Sequence, residues 1–422
     1  MTGTKRPFAR IARFLALSCL FSGLAGCAAA ERPSEVSTGL PDTTASVITE
    51  TVLPPDTTVP DTAPETAPET EPAPPPVRFF NPITGEKTET DLTLHRPVGI
   101  SVDNVLGAQP SVGISLADCI MELPFEGFET RLLAIVLDYE SLPTFGNIRS
   151  ARDYMVRYSQ DFGSIFVHAG ADYDSNCRRL APAAIEHGFA VSYLIKKDLI
   201  SVPEERRDLW TDGIDDLDAV TKYYPTPMFR DEERLKTKSI EHTLMLNATV
   251  LTDAIRYHGY KTEFSEPFAY PYIPLHEGES REVKGSPASY IALPYAPGSE
   301  SYASVYRYDA KSGLYFRSRY LEPHIDQMTG KQLAFTNVIA LYVDSEVYAG
   351  DPKYRLNVDY VGTGSGWYFS GGQGIEITWT RPDPESLLTL SEKATGRKLE
   401  INPGKVMINI FPASFVPYVT IR

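Results

Sequence analysis

Residues 28–77 cannot build a core, and this confines any folded unit to the chain beyond residue 77. The stretch is mostly Pro, Thr, Glu and Ala, with an Ala-Pro-Glu-Thr repeat at 63–70 and prolines at 74–76. Large apolar residues are too few to offset the entropy of ordering the chain. The composition predicts a disordered, partly polyproline tether, reaching on the order of 150 Å when extended. It also separates charge: nine acids and one base lie here, after four bases and no acid in residues 1–26.

The segment before the tether reads as an address. Lys5, Arg6, Arg10 and Arg13 form a basic start, and Phe14 to Ala25 is uncharged and apolar. That run is shorter than the roughly 20 residues a spanning helix needs. Leu24-Ala25-Gly26-Cys27 resembles the lipobox of bacterial lipoproteins. We expect a signal peptide at 1–26, lipidation of Cys27, and extracytoplasmic attachment to the bacterial cell membrane, since diacylglycerol on cysteine supplies the two chains that stable anchoring requires. Of the four cysteines, Cys119 and Cys177 then remain in the body. Cys119 sits in an apolar run and reads as a buried thiol rather than half of a disulfide.

Net charge is −15, which argues against a nucleic-acid partner, because phosphate binding needs a basic face. The chain, 42% apolar, holds enough apolar residues for a sizeable core and is long enough for two domains. Val98, Ile100 and Val102 alternate onto one strand face, Leu132 to Leu137 reads as a strand buried on both faces, and Ser164 to Val167 as another. Ser150-Ala151-Arg152-Asp153 has the pattern of a capping box opening a helix. Further helices are expected near 181–187 and 250–258, ended by Gly188 and Gly259. After residue 300, Tyr302–Tyr308 and Leu314–Arg319 flank a hairpin turn, and short strands continue at 338–343, 356–361, 367–369, 375–379 and 406–410. The expectation is a mixed α/β chain: an α/β domain at 78–270, then a mostly antiparallel β domain at 271–422, with the boundary between 260 and 290.

Common catalytic signatures are missing: no Gly-x-Ser-x-Gly, Ser-x-x-Lys, Walker loop, His-Glu-x-x-His or Cys-x-x-Cys occurs. No metal and no cofactor is expected. Glycines 362, 364 and 366 do not open a helix, so they are not a dinucleotide fingerprint. The acids at 212, 215, 216 and 218 miss calcium-loop spacing and read as a solvated loop.

What remains is one anion-binding candidate and several polar residues at strand ends. Arg149, Ser150 and Arg152 lie beside an expected helix N-terminus, where backbone N–H groups and guanidinium forks suit carboxylate or phosphate. The alternative is that each arginine pairs internally, with Glu122, Glu126 or Glu129 as partners; Arg131 closes that stretch. Asp103-Asn104 and His168 sit at strand ends, where α/β proteins tend to place sites, though a turn pair and a structural histidine are the plainer readings. Glu322-Pro323-His324-Ile325-Asp326 offers an imidazole two residues from a carboxylate. Candidate ligand-binding residues are therefore Asp103, Asn104, Glu126, Arg131, Arg149, Ser150, Arg152 and His168.

Several stretches together resemble the YerB-like family of bacterial lipoproteins: Arg96–Asn104, Gly113–Glu122, Glu126–Arg131, Gly146–Arg152, Val167–Gly170, Glu241-His242-Thr243, His324-Ile325-Asp326, Asn337-Val338-Ile339, Gly374–Trp379 and Asn402–Lys405. The similarity covers nearly all of residues 80–422. Asn147 departs from the family pattern, which runs Gly-Pro-Val-Arg-Ser-Ala-Arg. The resemblance implies paired N- and C-terminal domains, a layered β/β/α core and a lipid anchor; it implies no reaction. The leading expectation is a binding module for an anionic ligand or an envelope protein. The alternative is an extracytoplasmic hydrolase using Asp103, Glu126 or His168.

Overall fold

The architecture comes from a computed structural model that describes residues 78–169, 227–257 and 260–422. The expected signal peptide, Cys27, the tether, the helix at 181–187, Cys177, the acidic loop and Gly259 lie outside the described residues.

The alternating segment forms β1 (Val98–Asp103). Next come β2 (Cys119–Pro124) and the continuous apolar run, β3 (Thr130–Val136). β3 lies between the other two, antiparallel to both, and every residue of all three is buried. α1 (Asp153–Gln160) leads to β4 (Ile165–Val167), parallel to β1. Then come β5 (Leu244–Leu246) and α2 (Ala248–Tyr257). The expected capping box sits too early. The N-cap of α1 is Arg152, with no side-chain cap, because Arg149 and Ser150 are engaged with β1 and β3: Arg149 N–H donates to Ser101 O, and Ser150 O accepts from Arg131.

The later strands are β6 (Ser286–Pro287), β7 (Tyr290–Pro294), β8 (Ala303–Asp309), β9 (Leu314–Arg319), β10 (Asn337–Val343), β11 (Gly362–Ser370), β12 (Gln373–Arg381), β13 (Thr389–Glu392), β14 (Val406–Pro412) and β15 (Thr420–Ile421). The expected β8–β9 hairpin forms, its turn held by Asp309, which accepts from Ser312 N–H at 2.9 Å, and completed by Gly313 at φ +75°. Glycines 362, 364 and 366 lie inside β11, not in a phosphate-binding turn.

Strands from both sides of residue 270 share one ten-stranded sheet, ordered β6-β12-β11-β10-β14-β2-β3-β1-β4, with β13 also paired to β12. β14 is the joint. It runs parallel to β10 on one side and to β2 on the other, pairing Val406–Asn409 with Cys119–Glu122. The second half is otherwise antiparallel within this sheet.

The sheet buries both faces. Val98, Ile100, Ile120, Leu132, Ala134 and Met407 pack in one cluster with α2 and with Ile291, Tyr306 and Tyr315 of the six-stranded sheet built around β7, β8 and β9. Cys119, Met121, Leu133, Ile135, Ile408 and Ile410 pack on the opposite face with Tyr154, Met155 and Tyr158 of α1. Cys119 is a free, buried thiol as expected, and burial raises its pKa. The architecture is strand-rich and mixed α/β. No helix among the described residues is long and apolar enough to cross a membrane.

Candidate functional site

β4 is short, so the last residues of β1 have no neighbouring strand on that side. The segment 147–149 takes the place: Asp103 N–H donates to Asn147 O, Arg149 N–H to Ser101 O, and Ala169 N–H to Arg149 O. This hydrogen bonding carries Arg149 onto the end of β1. Asp103 and Arg131 are direct cross-strand partners, and the turn 125–129 connects β2 to β3 just beyond them. Residues far apart in sequence thus meet at one sheet end.

Asp103 is 1% exposed and is held from two sides. Arg149 Nε lies 3.1 Å from Oδ2 and His242 Nδ1 lies 2.8 Å from the same oxygen. Arg149 also donates to Glu241 O at 3.0 Å. Burial alone would raise the Asp103 pKa; the His242 hydrogen bond and the charges of Arg149 and Arg131 outweigh it and hold the carboxyl below its usual range.

A second cluster adjoins the first. Arg152 makes two hydrogen bonds to Glu126 Oε1, from Nε at 2.9 Å and from Nη2 at 2.7 Å. The Phe125 ring carries two guanidiniums, that of Arg131 at 3.7 Å from its centroid and that of Arg152 at 4.2 Å. Arg131, 3% exposed, donates one hydrogen bond, to Ser150 O, and forms no ion pair among the described residues. Burial, then Arg152 and Arg149, push its pKa down to about 9 against the opposing pull of Asp103 and Glu126. Three guanidiniums therefore face two carboxylates, and the most buried guanidinium has no carboxylate of its own among the described residues.

Asn104 turns to the opposite sheet face, donating to Glu122 Oε1 at 3.1 Å. His168 is buried and its ring stacks on Phe166, centroids 4.7 Å apart. Asp103 and Glu126 are taken up by separate partners, Arg149 and His242 for the first and Arg152 for the second. His324 and Asp326 also separate: His324 meets Arg317, while Asp326 accepts from the backbone N–H groups of Gly113 and Ser115, both at 2.9 Å. Among the described residues no group of histidines, cysteines and carboxylates could hold a metal ion. Sequence reasoning missed Phe125 and His242 as site residues; the resemblance included Glu241-His242-Thr243, the available signal for the second.

Asp103, Glu126, Arg131, Arg149 and Arg152 fall within the first of two matched domains, and His242 lies between the two. Residues 83–191 match the N-terminal domain of "Protein of unknown function (DUF3048)", and residues 291–408 match its C-terminal domain. The chain belongs to this family. A relative from Bacillus subtilis (strain 168), named "Putative lipoprotein YerB", is 28% identical over 333 residues, covering 78% of this chain and 86% of that protein. The crystal structure of YerB from Bacillus subtilis superposes with a TM-score of 0.59 at 25% identity, covering 81% of this chain and 99% of that one. The family description names no activity, so the reading of the arginine cluster rests on its chemistry alone.

Proposed function

We propose that this member of the DUF3048 family is a lipid-anchored extracytoplasmic binding module whose ligand carries a carboxylate or phosphate, bound at Arg131, Arg149 and Arg152. The observation that carries the reading is Arg131. A buried charge without a counter-ion is costly, and sites that keep one tend to spend it on a ligand. An anion approaching from the side of Arg149, whose side chain is 25% exposed, would balance the third guanidinium. The Leu24-Ala25-Gly26-Cys27 pattern and the name of the Bacillus relative support the anchor. Two apolar clusters on opposite faces of the large sheet support a layered β/β/α scaffold that holds the site rigid.

The test is the melting temperature of the purified protein with inorganic phosphate, small dicarboxylates, nucleotides and anionic wall fragments, repeated on the Arg149→Ala/Arg152→Ala double variant. A ligand at about 100 times its Kd stabilises by roughly 2.7 kcal/mol. A shift in the wild type that is absent from a folded double variant supports the reading. No shift with any anion, together with a double variant that melts far lower, makes the arginines scaffold and overturns it.

A further inference from the structure

The β11–β12 hairpin carries a feature unrelated to the arginine cluster. A groove of about 890 Å³ opens over Trp367 of β11, bounded on one side by residues 281–286 and on the other by residues 392–397. Its volume is near the upper end of small-molecule sites, ~300–1,000 Å³. Trp367 is half-buried and rigidly backed: its ring stacks on that of Phe369, with centroids 5.8 Å apart and planes 5° from parallel. Gly285 lets the wall approach closely, since a Cβ there would stand 2.0 Å from Gly374 O.

The charges around this groove differ in kind from those around Arg131. Arg281 is 2.6 Å from Glu392 and 3.2 Å from Glu400, Lys393 is 3.0 Å from Glu376, and Arg397 is 3.8 Å from Glu392. Each pair presents an N–H donor beside a carboxylate acceptor, with no large excess of either sign to recruit an ion. Hydroxyl groups both donate and accept, so such mixed rims suit a polyol, and a flat indole face suits the C–H face of a sugar ring.

We propose that the groove over Trp367 binds an uncharged glycan, one pyranose ring lying on the indole and its hydroxyls on the Lys393–Glu376 and Arg281–Glu392 pairs. The test is calorimetric titration of the purified protein with three neutral probes: cellotetraose, maltotetraose and the tetramer of N-acetylglucosamine. At least one should bind with a Kd between about 10 μM and 1 mM. Trp367→Ala should weaken that binding at least tenfold and Trp367→Phe much less. The double variant Lys393→Ala/Thr395→Ala, on the rim, should weaken it with an unchanged melting temperature, which keeps the test decisive if Trp367→Ala does not fold. No binding of any neutral probe at about 10 mM overturns the proposal. Binding that keeps its full strength in the rim variant overturns it as well, and so does binding of polygalacturonate with none of the neutral probes.

Discussion

Glu122 and Arg317 form an ion pair at 2.9 Å with neither side chain exposed to solvent. Glu122 stands on β2 and Arg317 on β9, so the pair ties the large sheet to the six-stranded one. Thr130 and Ser304 donate further hydrogen bonds to the carboxylate, at 2.7 and 2.5 Å, and Arg317 donates to His324. Burial, then Arg317 and Arg319, hold His324 well below its usual pKa, which leaves its ring neutral and able to accept.

Removing one partner leaves the other charged and dry. Glu122→Ala and Arg317→Ala should each lower stability by about 3–5 kcal/mol, whereas Glu122→Leu combined with Arg317→Met should cost much less than the two single changes together. Urea midpoints of the four proteins check this. Additive losses would show that the pair does not act as a unit.

Arg131 should behave in the opposite way. Arg131→Met keeps an apolar stem over Phe125 and removes a charge that lacks its own carboxylate, so the ligand-free protein should melt within a few degrees of wild type. Anion-induced stabilisation should vanish in the same variant. A large drop in melting temperature without ligand would mean that the guanidinium is needed by the fold.

Two aspartates, Asp103 buried and Asp118 half-buried, should pull the pH profile in opposite directions. The folded pKa of Asp103 lies below its unfolded value of about 3.9, so its contribution is complete above that pH and is lost as pH falls through the folded value. Asp118 is pushed up by burial to about 6 despite hydrogen bonds from Leu137 and Asn81 and the nearby Lys405. The folded protein therefore holds a proton that the unfolded chain releases, and stability should fall by up to about 3 kcal/mol as pH rises from about 4 to 6. Denaturant titrations from about pH 3 to 7 on wild type, Asp103→Asn and Asp118→Asn separate the two, the first variant losing the acid limb and the second the decline toward pH 6.

If Cys27 carries the anchor, Cys27→Ala should move the protein from the membrane fraction to the soluble fraction while leaving its melting temperature unchanged. Fractionation with an antibody to the folded part reads the outcome. A variant that stays with the membrane would show that something other than acylation of Cys27 holds it there.

How much of this fold is legible in the sequence depends on the range of the forces involved. β1 and β3 are legible because both carry local apolar patterns with strand spacing, alternation at Val98, Ile100 and Val102 and the unbroken run Leu132–Leu137; that Gly99 and Ser101 of β1 are buried as well is not legible, since it depends on what covers the second face. The start of α1 is not, because Ser150 carries a capping pattern but its carbonyl is already taken by Arg131 across the sheet. The partner of Arg152 could be narrowed in advance only to Glu122, Glu126 or Glu129, because all three lie within eight positions; the turn between β2 and β3 is what brings Glu126 to it. The His242–Asp103 contact could not: 139 positions separate the two, and no periodicity links them. His324 and Asp326 mislead for a related reason, since two-residue spacing suggests partnership while distant backbone and Arg317 compete more strongly.

The position of β14 makes the fold a check on its own completion. A strand made nearly last is inserted between β2 and β10, both of which precede it in the chain. Until it arrives, both neighbours present bare, apolar edges, the kind of surface that aggregates or attracts proteases. A chain cut short before Val406 is therefore missing the middle of its sheet rather than a tail. Truncated products should be cleared instead of accumulating as half-built fragments, and folding of the finished chain should be slow, because its central pairing spans most of the sequence.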